Sequence, residues 1–254
     1  MPPLHLVRLG VDAQKLYAFA RRSRAAGRDL DEGYAVHALF AALFDHGAAQ
    51  SARVAPKPFH IASSGTRMLD VLGYGVLDHI ALAERARTFA DPVAWGVCDL
   101  EGIASKPMPV EIKAGTRLGF SVRACPIRRI AKRGPMTHAR AEVDAFLAKS
   151  WEVGPDVELD REKVYCDWLG EELGKEGAAR LIDVSMTNFH LARMRRRTQG
   201  EERKGREPQR PDVRFEGVLV VGDAAAFAGR LARGIGRHRA FGFGMLLLRP
   251  APPR

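Results

Sequence analysis

At 254 residues the chain is long enough to form two domains of ordinary size, each with its own hydrophobic core. The formal charge of +10, from 40 Lys and Arg against 30 Asp and Glu residues, favours a polyanionic partner over an acidic small molecule. Cys98, Cys125 and Cys166 are widely spaced without a C-x-x-C pair, which argues against a disulfide framework or a zinc ribbon. Because we find neither an apolar run of membrane-spanning length nor a signal-peptide pattern, we expect a cytoplasmic protein with no membrane partner.

The N-terminal region predicts a strand followed by an amphipathic helix. Residues 4–9, with the sequence LHLVRL, alternate between apolar and polar as a half-buried strand does. Asp31 is a suitable N-cap, and a helix beginning at Glu32 would place an apolar stripe on its buried side. His37 falls at the edge of that stripe, and Tyr34, three residues earlier, shares its side. Taken alone, a histidine at such a boundary is more often structural than catalytic.

The middle of the chain predicts an insertion and a domain boundary. Apolar residues between Thr66 and Phe89 fit helical spacing in two pieces, interrupted near residues 73–75, GYG. We therefore expect a helical insertion at about residues 66–90. Residues 104–109, ASKPMP, have the composition of a linker, and a half-buried strand then opens a second unit. The alternating residues of this strand are Leu118, Phe120, Val122 and Ala124.

Two basic segments follow in the second half of the chain. Residues 123–141 contain six Arg or Lys and no acidic residue, which favours phosphate contacts because a solvated face normally mixes charges. Residues 188–210 combine many arginines with low hydrophobicity and predict a flexible hairpin or loop that orders on binding. A mobile basic loop without a specific ligand stays open as the alternative. The positions that we predict to bind RNA here are Arg123, Arg128, Arg129, Lys132, Arg133, Arg193, Arg195, Arg196 and Arg197.

The last segment carries a glycine-rich loop between a helix and a strand. Asp223 can cap a helix from Ala224 to Arg233, and residues 245–248 predict a buried strand. Nucleotide-binding glycine motifs have the opposite order, strand then helix, so a nucleotide cofactor is disfavoured. Glycine backbone and cationic side chains would instead attract an anion. The loop residues concerned are Gly234, Gly236, Arg237, His238, Arg239, Gly242 and Gly244.

These motifs together resemble a known family. The segment RFEGVL at residues 214–219, followed by a helix and the spacing Gly-Ile-Gly-x-x-basic-x-x-Gly-x-Gly, resembles the end of the CasE-type (type I-E-like) CRISPR precursor-RNA endoribonucleases. These enzymes belong to the repeat-associated RNA-binding (RAMP) superfamily. Tyr34 and His37 are similar to that family's Tyr-x-x-His pair in spacing and chain position. Residues 123–126, RACP, resemble its Arg-Ala-Asn-Pro, with Cys125 in place of the asparagine. The expected helical insertion leaves the type IV counterpart of these enzymes open.

The resemblance implies an α+β fold of two ferredoxin-like, RRM-like domains in tandem, with antiparallel sheets backed by helices. We expect these domains at residues 1–106 and 110–254. It also implies cleavage of CRISPR repeat hairpins to mature crRNA, with His37 and Tyr34 as catalytic residues and 2′,3′-cyclic phosphate products. Other CRISPR effector subunits are expected partners.

No metal-ligand motif is found, so a metal-free reaction without cofactors is favoured. Two alternatives remain open: catalysis by the arginine cluster Arg21, Arg22, Arg24 and Arg28, and a non-catalytic RNA-binding subunit of an effector complex.

Overall fold

A computed structural model describes residues 3–22, 31–49, 53–62, 67–130, 141–194, 196–197, 205–206 and 208–253. The strands are β1 His5–Asp12, β2 Phe59–Ile61, β3 Met68–Gly75, β4 Ala104–Pro107, β5 Arg117–Ala124, β6 Ile127–Arg129, β7 Glu142–Asp144, β8 Ala179–Arg193, β9 Arg196–Arg197, β10 Gly205–Arg206, β11 Gln209–Val221 and β12 Leu246–Pro250. The helices are α1 Ala13–Arg22, α2 Glu32–Phe44, α3 His79–Phe89, α4 Ala145–Val153, α5 Arg161–Gly174 and α6 Ala224–Arg233.

The first domain is a four-stranded antiparallel sheet in the order β2-β3-β1-β4. The chain passes through α1 and α2 between β1 and β2, and through α3 between β3 and β4. This strand order and these two helical crossovers are those of the ferredoxin-like fold. Leu9 of β1 pairs with Val71 of β3, and both side chains are buried in a core shared with α2.

The second domain repeats the same topology. Its sheet has the order β12-β5-β11-β8, with α5 in the first crossover and α6 in the second. The short strands β6 and β7 pair with each other before α4 begins. The predicted α+β fold of two tandem ferredoxin-like domains is therefore confirmed. We propose the interval between Pro107 and Arg117, where the first sheet ends and the second begins, as the domain boundary.

The predicted helical insertion at residues 66–90 is wrong. Met68–Gly75 is the strand β3 at the centre of the first sheet, and the helix α3 is the second helix of the ferredoxin-like unit. Leu69 and Val71 pack in the first core, whereas Leu72 and Tyr74 pack against the core of the second domain. A strand covered on both faces loses the alternation of apolar and polar residues, so its composition resembled a buried helix.

This double burial also joins the two domains. The hydroxyl of Tyr74 on β3 donates a hydrogen bond to the carbonyl of Leu246 on β12, at 2.9 Å. Leu4 and Leu6 from the first domain pack against the second core beside them. Because the first sheet is fixed against the second domain, the helix α2 on its other side has a defined position relative to the C-terminal loop.

A long hairpin arm extends from the second sheet. β8 and β11 pair from Ala179 with Val221 to Arg193 with Gln209, and beyond them β9 pairs with β10. The sequence predicted a flexible hairpin or loop here, and the described part of the arm is antiparallel strand, with register shifts in β11 at Arg214/Phe215 and Val218/Leu219. Across the described ranges, no helix is long and apolar enough to cross a membrane.

Candidate active site

The helix α2 begins where the sequence predicted. The carboxylate of Asp31 accepts a hydrogen bond from the backbone N–H of Tyr34 at 2.9 Å, which satisfies one of the unpaired N–H groups of the first turn. Gly33 lies in this first turn and is buried against the C-terminal loop. A β-carbon built on Gly33 would lie 2.2 Å from the carbonyl oxygen of Phe241, so only glycine permits this close approach.

The glycine-rich loop follows α6, whose observed bounds and cap at Asp223 agree with the prediction. The backbone N–H of Ile235 donates to the carbonyl of Gly244 at 2.8 Å, which closes the loop on itself. Gly244 has a φ of 77°, and a β-carbon there would lie 2.2 Å from the carbonyl oxygen of Ile235. Its N–H donates to the carbonyl of Arg123 at 2.7 Å, which ties the loop to β5. The predicted loop residues therefore form one compact unit.

The two predicted halves of the site meet at Phe241. The ring of Tyr34 stacks on the ring of Phe241, with centroids 5.8 Å apart and planes within 7°. The imidazole of His37 meets the same ring edge-on, at a centroid distance of 5.0 Å. The ring centroids of Tyr34 and His37 are 6.4 Å apart. A helix near the start of the chain and a loop near its end are thus brought into direct contact.

A groove runs past this contact. On one side a cleft of about 320 Å³ is lined by His37, the 53–57 segment and Ala240. On the other a wider cleft of about 730 Å³ is lined by loop residues 236–241 and by basic side chains from elsewhere. Lys57 and Ala240 line both clefts, so the two adjoin each other. The basic side chains along the groove are Arg53, Lys57, Arg129, Arg210, Arg237 and Arg239.

Glu142 organises the cations of the loop. Its carboxylate accepts a 2.6 Å hydrogen bond from Nε of Arg237 and lies 3.4 Å from Nε2 of His238 and 4.0 Å from Arg210. Burial raises the pKa of Glu142, but the charges of His238, Arg237 and Arg210 outweigh burial and hold this pKa below its usual range. His238 has a left-handed backbone, with φ at 63°, and its side chain is only 7% exposed. Glu142 thus holds the side chains of Arg237 and His238 in position.

Arg239 lies close to several other arginines. Its Nη1 donates to the carbonyl of Arg233 at 2.7 Å, at the C-terminal end of α6. Burial, together with the charges of Arg233, Arg237 and Arg230, lowers the pKa of Arg239. Arginine remains charged at neutral pH, so Arg239 stays beside these like charges. The repulsion is partly compensated, because Arg230 and Arg233 are paired with Glu176 and Arg237 is paired with Glu142. A bound anion would relieve it.

Arg123 has a partner inside the protein. Its guanidinium donates to both carboxylate oxygens of Asp212, at 2.9 and 2.5 Å, and lies 4.4 Å from the ring centroid of Phe243. Asp212 is only 4% exposed, so this ion pair is largely removed from water. These contacts, together with the hydrogen bond from the N–H of Gly244 to the carbonyl of Arg123, indicate that Arg123 fixes the loop against β5.

The other residues predicted to bind RNA are spread over three places. Arg129 lines the wider cleft, whereas Arg128 donates to the carboxylate of Glu171, at 2.8 and 2.7 Å, in a separate groove beside α4 and α5. Arg193 is exposed at the end of β8. The backbones of Arg196 and Arg197 form β9. Lys132, Arg133 and Arg195 lie outside the described residues, as do Arg24 and Arg28 of the alternative arginine cluster. The RNA-binding roles of all these residues stay predictions.

Sequence reasoning missed four residues of the site: Gly33, Lys57, Glu142 and Phe241. Gly33 and Phe241 form the contact between the two halves, which depends on tertiary packing and has no local signal. Lys57 lies between Pro56 and Pro58, and no local pattern marks it as a binding residue. Glu142 follows the acid-free stretch directly, and only the fold brings it beneath the loop. Within the described parts of the chain, no three His, Cys, Asp or Glu side chains are grouped as metal ligands.

The fold and the site together define a two-domain α+β protein in which a glycine-rich loop docks on a histidine-bearing helix beside a cationic groove. Comparison with known proteins agrees with this class. The chain belongs to the CRISPR-associated protein family, whose model matches residues 4–250.

Individual relatives are consistent with the predicted CasE-type membership. The chain is 30% identical over 174 residues to the CRISPR-associated endoribonuclease Cse3 of Thermus thermophilus, covering 65% of this chain and 71% of that protein. It is 28% identical over 159 residues to the CRISPR system Cascade subunit CasE of Escherichia coli, covering 63% and 70%. Among solved structures, CRISPR endoribonuclease Cse3 bound to 19 nt RNA superposes with a TM-score of 0.65 at 23% identity, covering 98% of this chain and 100% of that one. The predicted relationship to CasE-type proteins is confirmed.

Proposed function

We propose that this protein is an endoribonuclease that cuts CRISPR repeat hairpins in precursor transcripts to give mature crRNA. The observation that carries the proposal is the contact of His37 and Tyr34 with Phe241 of the glycine-rich loop, beside two adjoining clefts lined by basic side chains. The relatives support it, because Cse3 is named an endoribonuclease and one of its structures contains RNA.

The proposed reaction needs no metal ion. The ribose 2′-oxygen attacks the adjacent phosphorus, the bond from phosphorus to the 5′-oxygen breaks, and the products carry a 2′,3′-cyclic phosphate and a 5′-hydroxyl. One group must take the proton of the 2′-hydroxyl and another must supply a proton to the leaving oxygen. His37 serves as the base, or as the acid with the roles reversed. Tyr34 holds the ribose or the scissile phosphate.

The basic side chains of the groove stabilise the extra negative charge that develops on the phosphate. Arg237, His238 and Arg239 are the candidates on the loop, and Glu142 orients two of them. Positively charged donors that are already in position give more stabilisation than mobile ones, because they need not reorganise during the reaction.

RNA binding extends beyond the groove. The hairpin arm of β8 and β11 projects from the second domain and carries basic residues, which suits contact with the phosphates of a repeat stem. We propose that the product stays bound and that the protein joins other CRISPR effector subunits, since CasE is named a Cascade subunit. We place the activity in the cytoplasm, where such transcripts are made.

The test is incubation of the protein with a labelled repeat hairpin in excess EDTA, followed by analysis of the product ends. A single cut with a 2′,3′-cyclic phosphate is expected, and a control RNA of the same composition without a stem is expected to stay intact. Binding of the hairpin without a cut would favour the non-catalytic subunit. Loss of cutting in EDTA that returns with Mg²⁺ would overturn the metal-independent reaction.

A further inference from the structure

We propose that the smaller cleft beside His37 is a binding site for one unpaired nucleoside next to the scissile phosphate. This inference rests on the proposed function and adds to it a binding site for the nucleotide that adjoins the reacting phosphate. The cleft lies between α2 and the 53–57 segment, and Lys57, which also lines the wider cleft, would contact a phosphate bound there. No motif in the sequence indicated such a site.

The wall opposite α2 is held in place. The carboxylate of Asp45, at the end of α2, accepts hydrogen bonds from the N–H groups of Val54 at 2.7 Å and Ala55 at 3.1 Å. The N–H of Lys57 donates to the carbonyl of Tyr74 at 2.7 Å. Pro56 packs so closely on β3 that a β-carbon at Gly73 would lie 2.7 Å from it. The cleft is therefore formed before any ligand binds, which lowers the entropic cost of binding.

The size and chemistry of the cleft suit a nucleoside. Its volume of about 320 Å³ is near the lower end of the roughly 300–1,000 Å³ usual for small-molecule sites, and it is too small for a duplex. Apolar side chains line the cleft, among them Val54, Pro56 and the exposed Val76, and a base can pack against them. Arg53 and Lys57 are both exposed at the cleft and supply positive charge for the attached phosphates.

The position of the cleft distinguishes it from the surface that would bind the stem. The wider cleft is lined by four arginines, Arg129, Arg210, Arg237 and Arg239, and adjoins the second domain with its hairpin arm. The smaller cleft adjoins the first domain. The two meet at Lys57 and Ala240, and His37 lines the smaller cleft. A scissile phosphate at the junction would thus have the stem on one side and a single nucleotide on the other.

The experiment compares three repeat RNAs: the natural one, one lacking the base immediately 5′ of the scissile phosphate, and one lacking the base immediately 3′ of it. We expect single-turnover cleavage to fall about tenfold for one of the two abasic RNAs and to change little for the other. Ala41→Trp fills the cleft from α2. This variant should cleave the natural RNA about tenfold more slowly and should no longer distinguish it from the affected abasic RNA. Ala81→Trp, a half-buried position on α3 away from the cleft, is the matched control.

Binding of RNAs with a 2′-deoxyribose at the attacking position completes the test. These RNAs cannot be cut, so their affinities report on the cleft even if the protein proves to be a non-catalytic subunit. The same abasic RNA should bind several-fold more weakly to the unaltered protein. Lys57→Ala should weaken the binding of all three RNAs. Equal cleavage and equal binding of all three RNAs would overturn the proposal. So would an Ala41→Trp variant that behaves as Ala81→Trp does.

Discussion

Replacing Gly33 by alanine tests the contact between α2 and the glycine-rich loop. In most helices this change stabilises the fold by up to about 1 kcal/mol, because alanine loses less backbone entropy. Here the new β-carbon would lie 2.2 Å from the carbonyl oxygen and 2.9 Å from the carbonyl carbon of Phe241. Backbone atoms cannot rotate away as the end of a side chain can. The helix and the loop must therefore separate by about 1 Å to reach van der Waals contact.

The separation should affect activity more than stability. Overpacking costs about 1–3 kcal/mol and is partly offset by the gain in helix propensity, so we expect a net loss of about 1–2 kcal/mol. A displacement of about 1 Å in a catalytic arrangement can cost on the order of 100-fold in rate. Gly33→Ala should therefore cleave bound repeat RNA about 100-fold more slowly in a single-turnover assay, while chemical denaturation shows a folded protein.

Gly170→Ala provides the matched control. Gly170 lies inside α5, where a β-carbon would meet only Leu181 Cδ1 at an ordinary 3.5 Å. This variant should keep the full rate and gain up to about 1 kcal/mol in the free energy of unfolding. If Gly33→Ala behaves like Gly170→Ala in both assays, the helix and the loop are not held together as described.

Three other substitutions test the electrostatics. Burial and two neighbouring arginines lower the pKa of His60 to about 4. Between pH 6.5 and pH 4 the unfolded chain therefore binds a proton that the folded chain does not, and the free energy of unfolding should fall by about 2 kcal/mol from pH 7 to pH 5. His60→Gln should remove this pH-dependent loss. Asp212→Asn leaves the guanidinium of Arg123 without its counter-charge and should cost about 2–3 kcal/mol in urea unfolding; an unchanged midpoint contradicts this. Since the pKa of Glu142 is lowered, Glu142→Gln should destabilise the protein by about 1 kcal/mol at pH 7, and this loss should shrink as the pH falls through the lowered pKa of the folded state; a loss that is the same at every pH speaks against the ion pair.

Local signals in the sequence predicted the helices α2 and α6 and the strand β5 well. The caps at Asp31 and Asp223 and the alternation of β5 depend on neighbouring residues, and the observed elements agree with them. The tandem ferredoxin-like fold came from the resemblance to CasE-type enzymes and not from periodicity. β3 was assigned to helix because its two faces pack on two different cores, which a single chain segment does not disclose.

Contacts between distant parts of the chain could not be predicted. Arg123 was grouped with RNA-binding residues because its neighbours in sequence are basic, yet its charge is paired with Asp212, which lies 89 residues away. Glu142 reaches Arg237 across 95 residues. Basic composition predicts a positively charged surface, but the fold decides which of the charges are left to face a ligand.

The most direct test of the account is the cleavage rate of His37→Ala on bound repeat RNA in EDTA, measured beside His46→Ala, an exposed histidine that follows the same helix. We predict that His37→Ala loses about 10²–10⁴-fold in single-turnover rate while its affinity for uncut RNA stays within a few-fold of the unaltered protein. His46→Ala should cleave normally. A His37→Ala protein that cuts the repeat as fast as the unaltered one would contradict the claim that this imidazole and the glycine-rich loop act on the same phosphate.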